Sequence, residues 1–238
     1  MASNLVKNMQ ISCNHCSLDS ICLPRGLSAK EINRISDVIK QTISLQRGAF
    51  LYRQGSDFKG VLAIKSGTAK LIREDQQGDE HILNILLPGE LLGFDGFYED
   101  KHSCSAVALE TVSYCELPAD GLETLCLKVP GLMRELFRHT GEKLDEELSH
   151  NVLNKRPAEE RLAFFLISLS DRLKRRGFSP SEFNLSLTRQ EIGNHLNLAL
   201  ETVSRLLQKF DNSGMISVNK KNIQIHDLQG LKSLLKPQ

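Results

Sequence analysis

The spacing of apolar residues changes several times along the chain, and each change predicts a different kind of element. Ser28 followed by Glu31 is typical of a capping box at the start of a helix. Apolar residues then recur at helical spacing and predict an amphipathic helix of about three turns. The residues that carry this spacing are Ile32, Ile35, Val38 and Ile39.

From residue 45 to about 127, short apolar and β-branched runs alternate with glycine-containing turns. Strands at about ten-residue spacing are typical of an antiparallel barrel or jelly roll. The runs that we predict to be strands are 50–52, 61–64, 69–72, 82–87, 105–109 and 112–117.

Residues 131–155 contain no proline and continue one helical pattern. The apolar stripe is narrow, and acidic residues crowd positions 142 and 145–147. A core helix packed on the roll is one interpretation, but a narrow stripe with charged flanks favours a helix–helix seam, and therefore a homodimer. The residues that we assign to this seam, called the dimer stripe below, are Met133, Phe137, Thr140, Leu144, Leu148 and Val152.

Residues 159–174 predict another amphipathic helix, and residues 188–210 form a more specific pattern. Thr188 and Glu191 make a second capping box, residues 197–199 break the helix, and a further helix follows. Gly193 allows close contact, and Asn197 tolerates a positive φ at the turn. This pattern is typical of a helix-turn-helix, with an unrelated helical hairpin as the weaker alternative.

The second helix of this motif carries side chains that can read base edges in the major groove. Residues 215–218 and 223–225 predict a hairpin, and so a winged version of the motif. The two lysines at its turn either meet phosphate or are solvated. The residues that we assign to DNA are Glu201, Ser204, Arg205 and Thr202 on the second helix, and Thr188 and Arg189 at the start of the first.

Composition narrows the class of protein. The 238 residues are 40% hydrophobic and 25% charged, which excludes wholesale disorder. No uninterrupted apolar run is long enough to span a membrane, and the first residues lack the apolar run of a secretion signal, so we expect a cytoplasmic protein.

The formal net charge of +1 conceals two halves of opposite charge. Residues 1–154 carry 16 basic and 21 acidic residues, whereas residues 155–238 carry 14 basic and 8 acidic residues. The basic half is the candidate for nucleic acid.

Cys13, Cys16 and Cys22 place three thiols within ten residues of a segment that has no apolar period. Thiolates suit zinc or an iron–sulfur cluster, and the spacing alone leaves both open. The spacing does not choose a fourth ligand, although His15 is too near its neighbours to complete a set easily. We interpret Cys104 and Cys126 as small buried apolar residues.

The predicted organisation is therefore α+β, with four parts. These are a cysteine-rich arm (1–26), an antiparallel β-roll sensor domain (27–128), a dimerisation helix (129–155) and a C-terminal winged helix-turn-helix domain (156–238). The seven histidines are scattered, and no nucleophile–base pair or phosphate-binding glycine loop is present, so an enzyme is not expected.

In this order of parts, the chain resembles the CRP/FNR superfamily of bacterial transcription factors, and within it the fumarate and nitrate reduction regulators. The resemblance covers nearly the whole chain. The segments that carry it are Cys-Asn-His-Cys-Ser-Leu-Asp-Ser-Ile-Cys at 13–22, Cys-Glu-Leu-Pro at 115–118, Ala-Glu-Glu-Arg-Leu at 158–162, Arg-Gly-Phe-Ser-Pro at 176–180 and Glu-Thr-Val-Ser-Arg at 201–205.

The resemblance implies an oxygen-responsive regulator. Cys13, Cys16, Cys22 and Cys115 would ligate one oxygen-labile [4Fe–4S] cluster per subunit, and the cluster-bound form would be the DNA-binding homodimer. Its partners would be RNA polymerase and double-stranded DNA with a TTGAT-N4-ATCAA-like palindrome. A zinc-stabilised regulator without oxygen sensing is the alternative that the residues leave open.

A third interpretation, cyclic-nucleotide sensing, is disfavoured by two departures from the nucleotide-binding branch of the superfamily. That branch resembles Gly-Glu-Leu-Gly followed by an Arg-Ser pair, where the arginine holds the phosphate. Here Gly93-Phe94-Asp95-Gly96 and Cys104-Ser105 stand at those places. Without the arginine the cyclic phosphate loses its charge partner, so no cyclic nucleotide is expected.

Overall fold

The computed structural model describes Cys13 and residues 16–235. Residues 1–12, 14 and 15, which belong to the predicted arm, and residues 236–238 lie outside the described part. Within that part, no helix combines the length and the apolar character needed to cross a bilayer.

Two antiparallel four-stranded sheets form a β-roll in the first half of the chain. Their strand orders are β1-β8-β3-β6 and β2-β7-β4-β5, so β5 is an edge strand. A third sheet, of order β10-β11-β9, lies in the second half. The strands are β1 (Lys40–Leu45), β2 (Phe50–Tyr52), β3 (Gly60–Ser66), β4 (Ala69–Glu74), β5 (Glu80–Leu86), β6 (Leu91–Leu92), β7 (Ser105–Ala108), β8 (Val112–Pro118), β9 (Glu182–Asn184), β10 (Ile216–Asn219) and β11 (Asn222–Ile225).

The helices join and follow the roll in the predicted order, with one long helix between the roll and the winged helix. Together with the roll they confirm the predicted fold class. The helices are α1 (Ala29–Ser36), a 3-10 turn (Phe94–Phe97), α2 (Leu122–Lys128), α3 (Pro130–Leu153), α4 (Ala158–Arg175), α5 (Arg189–Leu196), α6 (Leu200–Asn212) and α7 (Leu228–Ser233).

The helix α1 is shorter than its apolar spacing predicts. It begins as expected, because the Glu31 carboxylate accepts a hydrogen bond from the Ser28 backbone N–H at 2.8 Å. It ends at Ser36, so the prediction that Val38 and Ile39 continue it was wrong. Their N–H groups both donate to the Ile35 carbonyl, and the chain then enters β1. Both residues are β-branched and suit this change to extended backbone.

The roll and the winged helix share part of their cores. Ile85, Leu87 and Leu109 of the roll belong to the same buried apolar cluster as α4, α5 and α6. Because this cluster is continuous, the winged helix is packed on the roll of its own chain.

Candidate functional site

Three elements position the four cysteines of the predicted cluster site. The Cys13 N–H donates to Ser36 Oγ at 3.2 Å, which ties the arm to the end of α1. Turns follow, with the Cys22 N–H donating to the Leu18 carbonyl at 2.9 Å. Cys115 lies on β8, opposite Ala63 of β3. The fourth thiol therefore comes from the rigid roll, and the other three from the arm.

The four thiols lie close enough to influence one another electrostatically. Burial, and after it the charges of the other three thiols, raises the pKa of Cys22 to about 12. Burial, and then Cys13, raises the pKa of Cys115 to about 11 against the opposing charge of Lys65. Burial also raises the pKa of Cys13, with Cys16 adding to it. Such thiols favour the protonated form until a metal takes the place of the proton.

The donor set is four thiols, which is the ligation of a [4Fe–4S] cluster and also of a structural zinc ion. Within the described residues, no three or more His, Cys, Asp or Glu side chains come together in a group that could hold a metal ion. By the chemistry of its donors the set suits the cluster, because all four ligands are soft thiolates, three from the arm and one from β8, and Lys65 lies near enough to Cys115 to lower its pKa.

The remaining two cysteines lie elsewhere. Cys104 is buried beside Asp95, whose carboxylate accepts its S–H at 3.5 Å, and Cys126 is buried in α2. Burial and Asp95 raise the pKa of Cys104 to about 12, so its thiolate is strongly disfavoured. Both residues are buried small side chains, as predicted.

The arm, the strand that carries Cys115 and the start of α3 share one apolar core, called the arm core below. Leu23, one residue after Cys22, is 2% exposed and lies in this core. Val129, directly before α3, and Leu132, in its first turn, are fully buried in it, and Cys22 and Cys115 pack against it. The placement of the arm is therefore mechanically linked to the first turn of α3.

A buried ion cluster links the roll to α4. The Glu90 carboxylate accepts from Arg172 Nε and Nη2, at 2.9 and 2.6 Å, and from Arg176 Nη2 at 2.6 Å. Burial by itself raises the pKa of Glu90, but Arg172, Lys143 and Arg176 outweigh it and hold the pKa well below its usual range. Arg176 Nε also donates to the Pro88 carbonyl at 2.8 Å. The turn at residues 87–90 is thus fixed to the winged-helix domain.

The dimer stripe lies on the outside of α3. Phe137 is 71% exposed and Leu144 is 62% exposed, and Met133, Thr140, Leu148 and Val152 are also exposed. Two of the crowded acidic residues are paired on the same helix, Glu142 with Arg138 and Glu146 with Lys143. The repulsion expected along 142–147 is therefore partly neutralised.

The helix-turn-helix has the close geometry that its sequence predicts. A Cβ on Gly193 would lie 2.5 Å from the Leu198 carbonyl oxygen, so only glycine fits. Asn197 ends α5 in the left-handed region, with φ of 53°. Arg161 of α4 donates to the Leu196 carbonyl at 2.7 Å and so caps α5. These contacts make α5 and α6 one rigid unit on α4.

The outer face of α6 borders an open groove of about 690 Å³. Glu201 and Arg205 are exposed on it and Ser204 is half-buried, so all three are accessible to a ligand. Arg189 of α5 and Val218 of β10 border the same groove. Thr202 is half-buried outside this lining, and the Thr188 hydroxyl accepts from the Glu191 N–H at 3.2 Å in the capping box. Sequence reasoning missed Gln208, which also lines the groove, three positions after Arg205 and so on the same helix face.

Residues 93–96, which stand at the place of the nucleotide-binding motif, make contacts with other residues of the roll. Asp95 accepts from the Ser103 N–H at 2.8 Å and lies 3.4 Å from His102 Nδ1. The His102 ring stacks on Tyr52, with ring centroids 3.7 Å apart, and meets Phe58 edge-on. Asp95, the carboxylate within this segment, is thus engaged inside the protein.

Two family models match the chain. A model described as a cyclic nucleotide-binding domain matches residues 42–128, and a Crp-like helix-turn-helix domain model matches residues 160–234. The two matches fall on the β-roll and the winged helix.

Curated relatives match along nearly the full length. The transcriptional activator protein Anr of Pseudomonas protegens is 40% identical over 219 residues, which cover 92% of this chain and 90% of that protein. The fumarate and nitrate reduction regulatory protein of Escherichia coli K12 is 40% identical over 225 residues, which cover 94% and 90%.

Among solved structures, FixK2 from Bradyrhizobium japonicum matches with a TM-score of 0.77 at 25% identity, covering 84% of this chain and 99% of that one. The order of roll, long helix and winged helix is therefore shared with a solved structure.

Proposed function

Because this chain belongs to the CRP/FNR family of transcription regulators, we propose that it is a member that responds to oxygen through a [4Fe–4S] cluster. At the level of the family, the chain is a DNA-binding transcription regulator that acts as a dimer, and it is not an enzyme. The finer assignments that follow are proposals. We propose that the chain is divided into an arm (1–26), a roll (27–128), a dimerisation helix (129–155) and a winged helix (156–238). We also propose a cytoplasmic location.

Cys13, Cys16, Cys22 and Cys115 are the proposed ligands, for one cluster per subunit. The observation that carries the proposal is that the arm thiols and the β8 thiol lie in one electrostatic neighbourhood beside the arm core. When bound, such a cluster supplies iron–thiolate bonds that oxygen destroys. The chain itself would couple the cluster to α3, because Leu23 of the arm and Leu132 of α3 belong to the same buried core.

We propose that packing in the arm core controls dimerisation through the dimer stripe. Shifting a two-state balance from 1:99 to 99:1 requires about 5.5 kcal/mol, and metal–thiolate sites contribute on the order of 10 kcal/mol of apparent binding energy. The free energy of cluster binding to the arm is therefore large enough to control the association of two chains through α3. Two α3 helices that meet at the stripe would place two copies of α6 about one DNA turn apart.

For DNA, we propose that Glu201, Ser204 and Arg205 read the half-sites of a TTGAT-N4-ATCAA-like palindrome. Their exposure on one face of α6 supports this role. Thr202, Thr188 and Arg189 are the proposed additional contacts, and RNA polymerase is the proposed protein partner. No cyclic nucleotide is proposed as an effector, since Cys104 stands where the nucleotide-binding branch has the arginine that holds the phosphate.

The test compares Cys115→Ser with Cys104→Ser, two single-thiol changes in the same roll. Protein is purified without oxygen, and iron, acid-labile sulfide and zinc are assayed together with visible absorbance. We expect Cys115→Ser to lose iron, colour and operator binding, and Cys104→Ser to keep all three, because only Cys115 neighbours the arm thiols.

Colourless wild-type protein that contains zinc would support the zinc-stabilised alternative. Tight operator binding by metal-free protein in air would overturn the oxygen response, since the arm would then have no role in association.

A second prediction concerns base reading. Replacing Arg205 with alanine is expected to cost roughly 1–3 kcal/mol of operator binding and to relax preference at one base pair, because a bidentate contact to guanine is lost. Binding to a set of single-base operator variants checks this. An equal loss for every sequence would identify Arg205 as a phosphate contact instead.

A further inference from the structure

The helix α5 is attached to the roll by contacts that the functional site does not use. On β5, the Ile82 N–H donates to Asn194 Oδ1 at 2.7 Å, and Asn194 Nδ2 donates to the Glu80 carbonyl at 2.6 Å. His195 Nδ1 lies 3.2 Å from the Ile82 carbonyl oxygen. On β4, Lys70 Nζ lies 2.9 Å from Glu191 Oε1. Together these are called the α5 contact.

The α5 contact provides hydrogen-bond partners for backbone groups at the free edge of a sheet. Because β5 is an edge strand, its outward N–H and C=O groups have no neighbouring strand, and such groups are costly or prone to pair with other chains. The carboxamide of Asn194 presents its NH2 group to the Glu80 carbonyl and its oxygen to the Ile82 N–H, as a neighbouring strand would present a backbone N–H and C=O. The first helix of the DNA-binding motif thus completes the sheet of the sensor.

Fixing α5 also fixes α6. The Gly193–Leu198 approach and the Arg161 cap leave little freedom between the two helices. In this arrangement Glu201 and Arg205 remain exposed, so the α5 contact is compatible with DNA binding. Whatever orients α5 on the roll consequently orients the reading face of α6.

We propose that Asn194, supported by Lys70, is a positioning residue for DNA recognition: it sets the orientation of the recognition helix relative to the roll, and through it the spacing of half-sites that the dimer prefers. Asn194 acts through the edge of β5 and needs no contact with DNA. A dimer binds two half-sites with an effective concentration that depends on how closely its geometry matches their spacing. A loosened α5 broadens that geometry.

The experiment uses the full-length chain, prepared without oxygen, as wild type, Asn194→Ala, Lys70→Met and the control Asn212→Ala. Asn212 is an exposed amide at the end of α6. Each protein is titrated with the proposed palindrome, with duplexes whose spacer is one base pair shorter or longer, and with unrelated duplex DNA. Amide hydrogen exchange at Ile82 is measured without DNA.

For Asn194→Ala we expect Ile82 to exchange at least about tenfold faster, since its acceptor is gone. Affinity for the correctly spaced palindrome falls by roughly tenfold, and discrimination against the altered spacers shrinks. Binding to unrelated DNA is unchanged, because it depends on phosphate contacts. Lys70→Met, which lies on the roll, produces the same loss of spacer discrimination to a smaller degree, and Asn212→Ala behaves as wild type.

Three results would overturn the proposal. Spacer preference that is unchanged while Ile82 exchanges faster would show that the contact does not position α6. An equal loss on all duplexes would indicate a merely structural role. Tighter operator binding by Asn194→Ala would mean that the contact holds the domain away from DNA. The exchange measurement needs neither the proposed DNA sequence nor the cluster, so failure of those proposals is distinguishable from failure of this one.

Discussion

The neighbouring helices α3 and α4 distribute their side chains in opposite ways. On α4, Leu162 and Leu166 are fully buried, and its two buried charged residues, Glu160 and Arg172, are paired with Arg156 and Glu90. On α3, Phe137 is 71% exposed, whereas Glu135 and His139 are among the buried residues. A helix that exposes an aromatic residue together with Leu144 and Leu148 is not optimised for a single chain. The difference is that α4 stabilises its own domain, whereas α3 presents the exposed apolar surface that we propose a second copy covers.

The largest expected effect comes from placing a charge on the exposed stripe. Phe137→Asp should weaken dimerisation by at least about a hundredfold, because a desolvated aromatic at a helix seam is a typical hot spot. The unfolding midpoint of the single chain should stay near that of wild type, since Phe137 has few contacts to lose there. Sedimentation velocity without oxygen measures the first quantity, and circular dichroism the second.

Phe178→Asp is the matched control for this change, because Phe178 is an exposed aromatic outside α3. It should leave dimerisation intact. Equal weakening by both variants would contradict the assignment of the seam to α3.

The corresponding change on α4 should act on folding instead. Leu166→Ala is expected to destabilise the protein by about 2–5 kcal/mol, because it opens a cavity in a fully buried cluster. Its partner is Leu144→Ala, which removes the same atoms from an exposed position of α3. Urea denaturation and sedimentation should show opposite outcomes: Leu166→Ala lowers stability, and Leu144→Ala lowers association. If both variants changed the same quantity, the contrast between the helices would fail.

The smallest expected effect concerns the buried face of α3. Burial, followed by the charge of Arg138, lowers the pKa of His139 to about 4, against about 6.5 in an unfolded chain. Below pH 6.5 His139 therefore binds a proton in the unfolded chain but not in the folded one. The free energy of unfolding decreases as the pH falls. Between pH 7.5 and 5 this site should account for roughly 1–2 kcal/mol.

His139→Gln cannot take up that proton, so its stability should depend less on pH than that of wild type over the same range. Urea denaturation at several pH values measures the difference. Parallel pH dependences would show that the pKa of His139 is the same in the folded protein as in the unfolded chain.

Local motifs were the most predictable part of the molecule. The pairs Ser28–Glu31 and Thr188–Glu191 both form capping boxes, and Gly193 and Asn197 play the roles that a tight helical turn requires. Each of these depends on residues within a few positions of one another, so the sequence contains the whole reason for it. Strands with clear runs, such as β3 and β4, follow the same rule.

Contacts between distant residues were not predictable from one sequence. Glu191 is a capping residue by its spacing, and nothing nearby indicates that it also meets Lys70, 121 positions away. Asn194 likewise has the sequence signature of a surface residue, yet it completes the edge of β5. The short β1, β6, β9, α2 and α7 were missed because their apolar pattern is brief and their partners decide their form. The choice of Cys115 over Cys104 and Cys126 came from resemblance, and the three-dimensional neighbourhood of the thiols supplies its physical reason.

The buried Glu90–Arg172–Arg176 cluster has a consequence for how such proteins can be recombined. A hybrid that joined this roll to a foreign winged helix without arginines at these two places would keep Glu90 in the interior and lose the two guanidinium groups that neutralise it. Removing one side of a buried ion pair typically costs about 3–5 kcal/mol, which is a large fraction of the stability of a domain. The domain between its linkers is therefore not an independent unit of exchange. A hybrid joined at the hinge should fold only where the foreign winged helix supplies arginines at the places of Arg172 and Arg176.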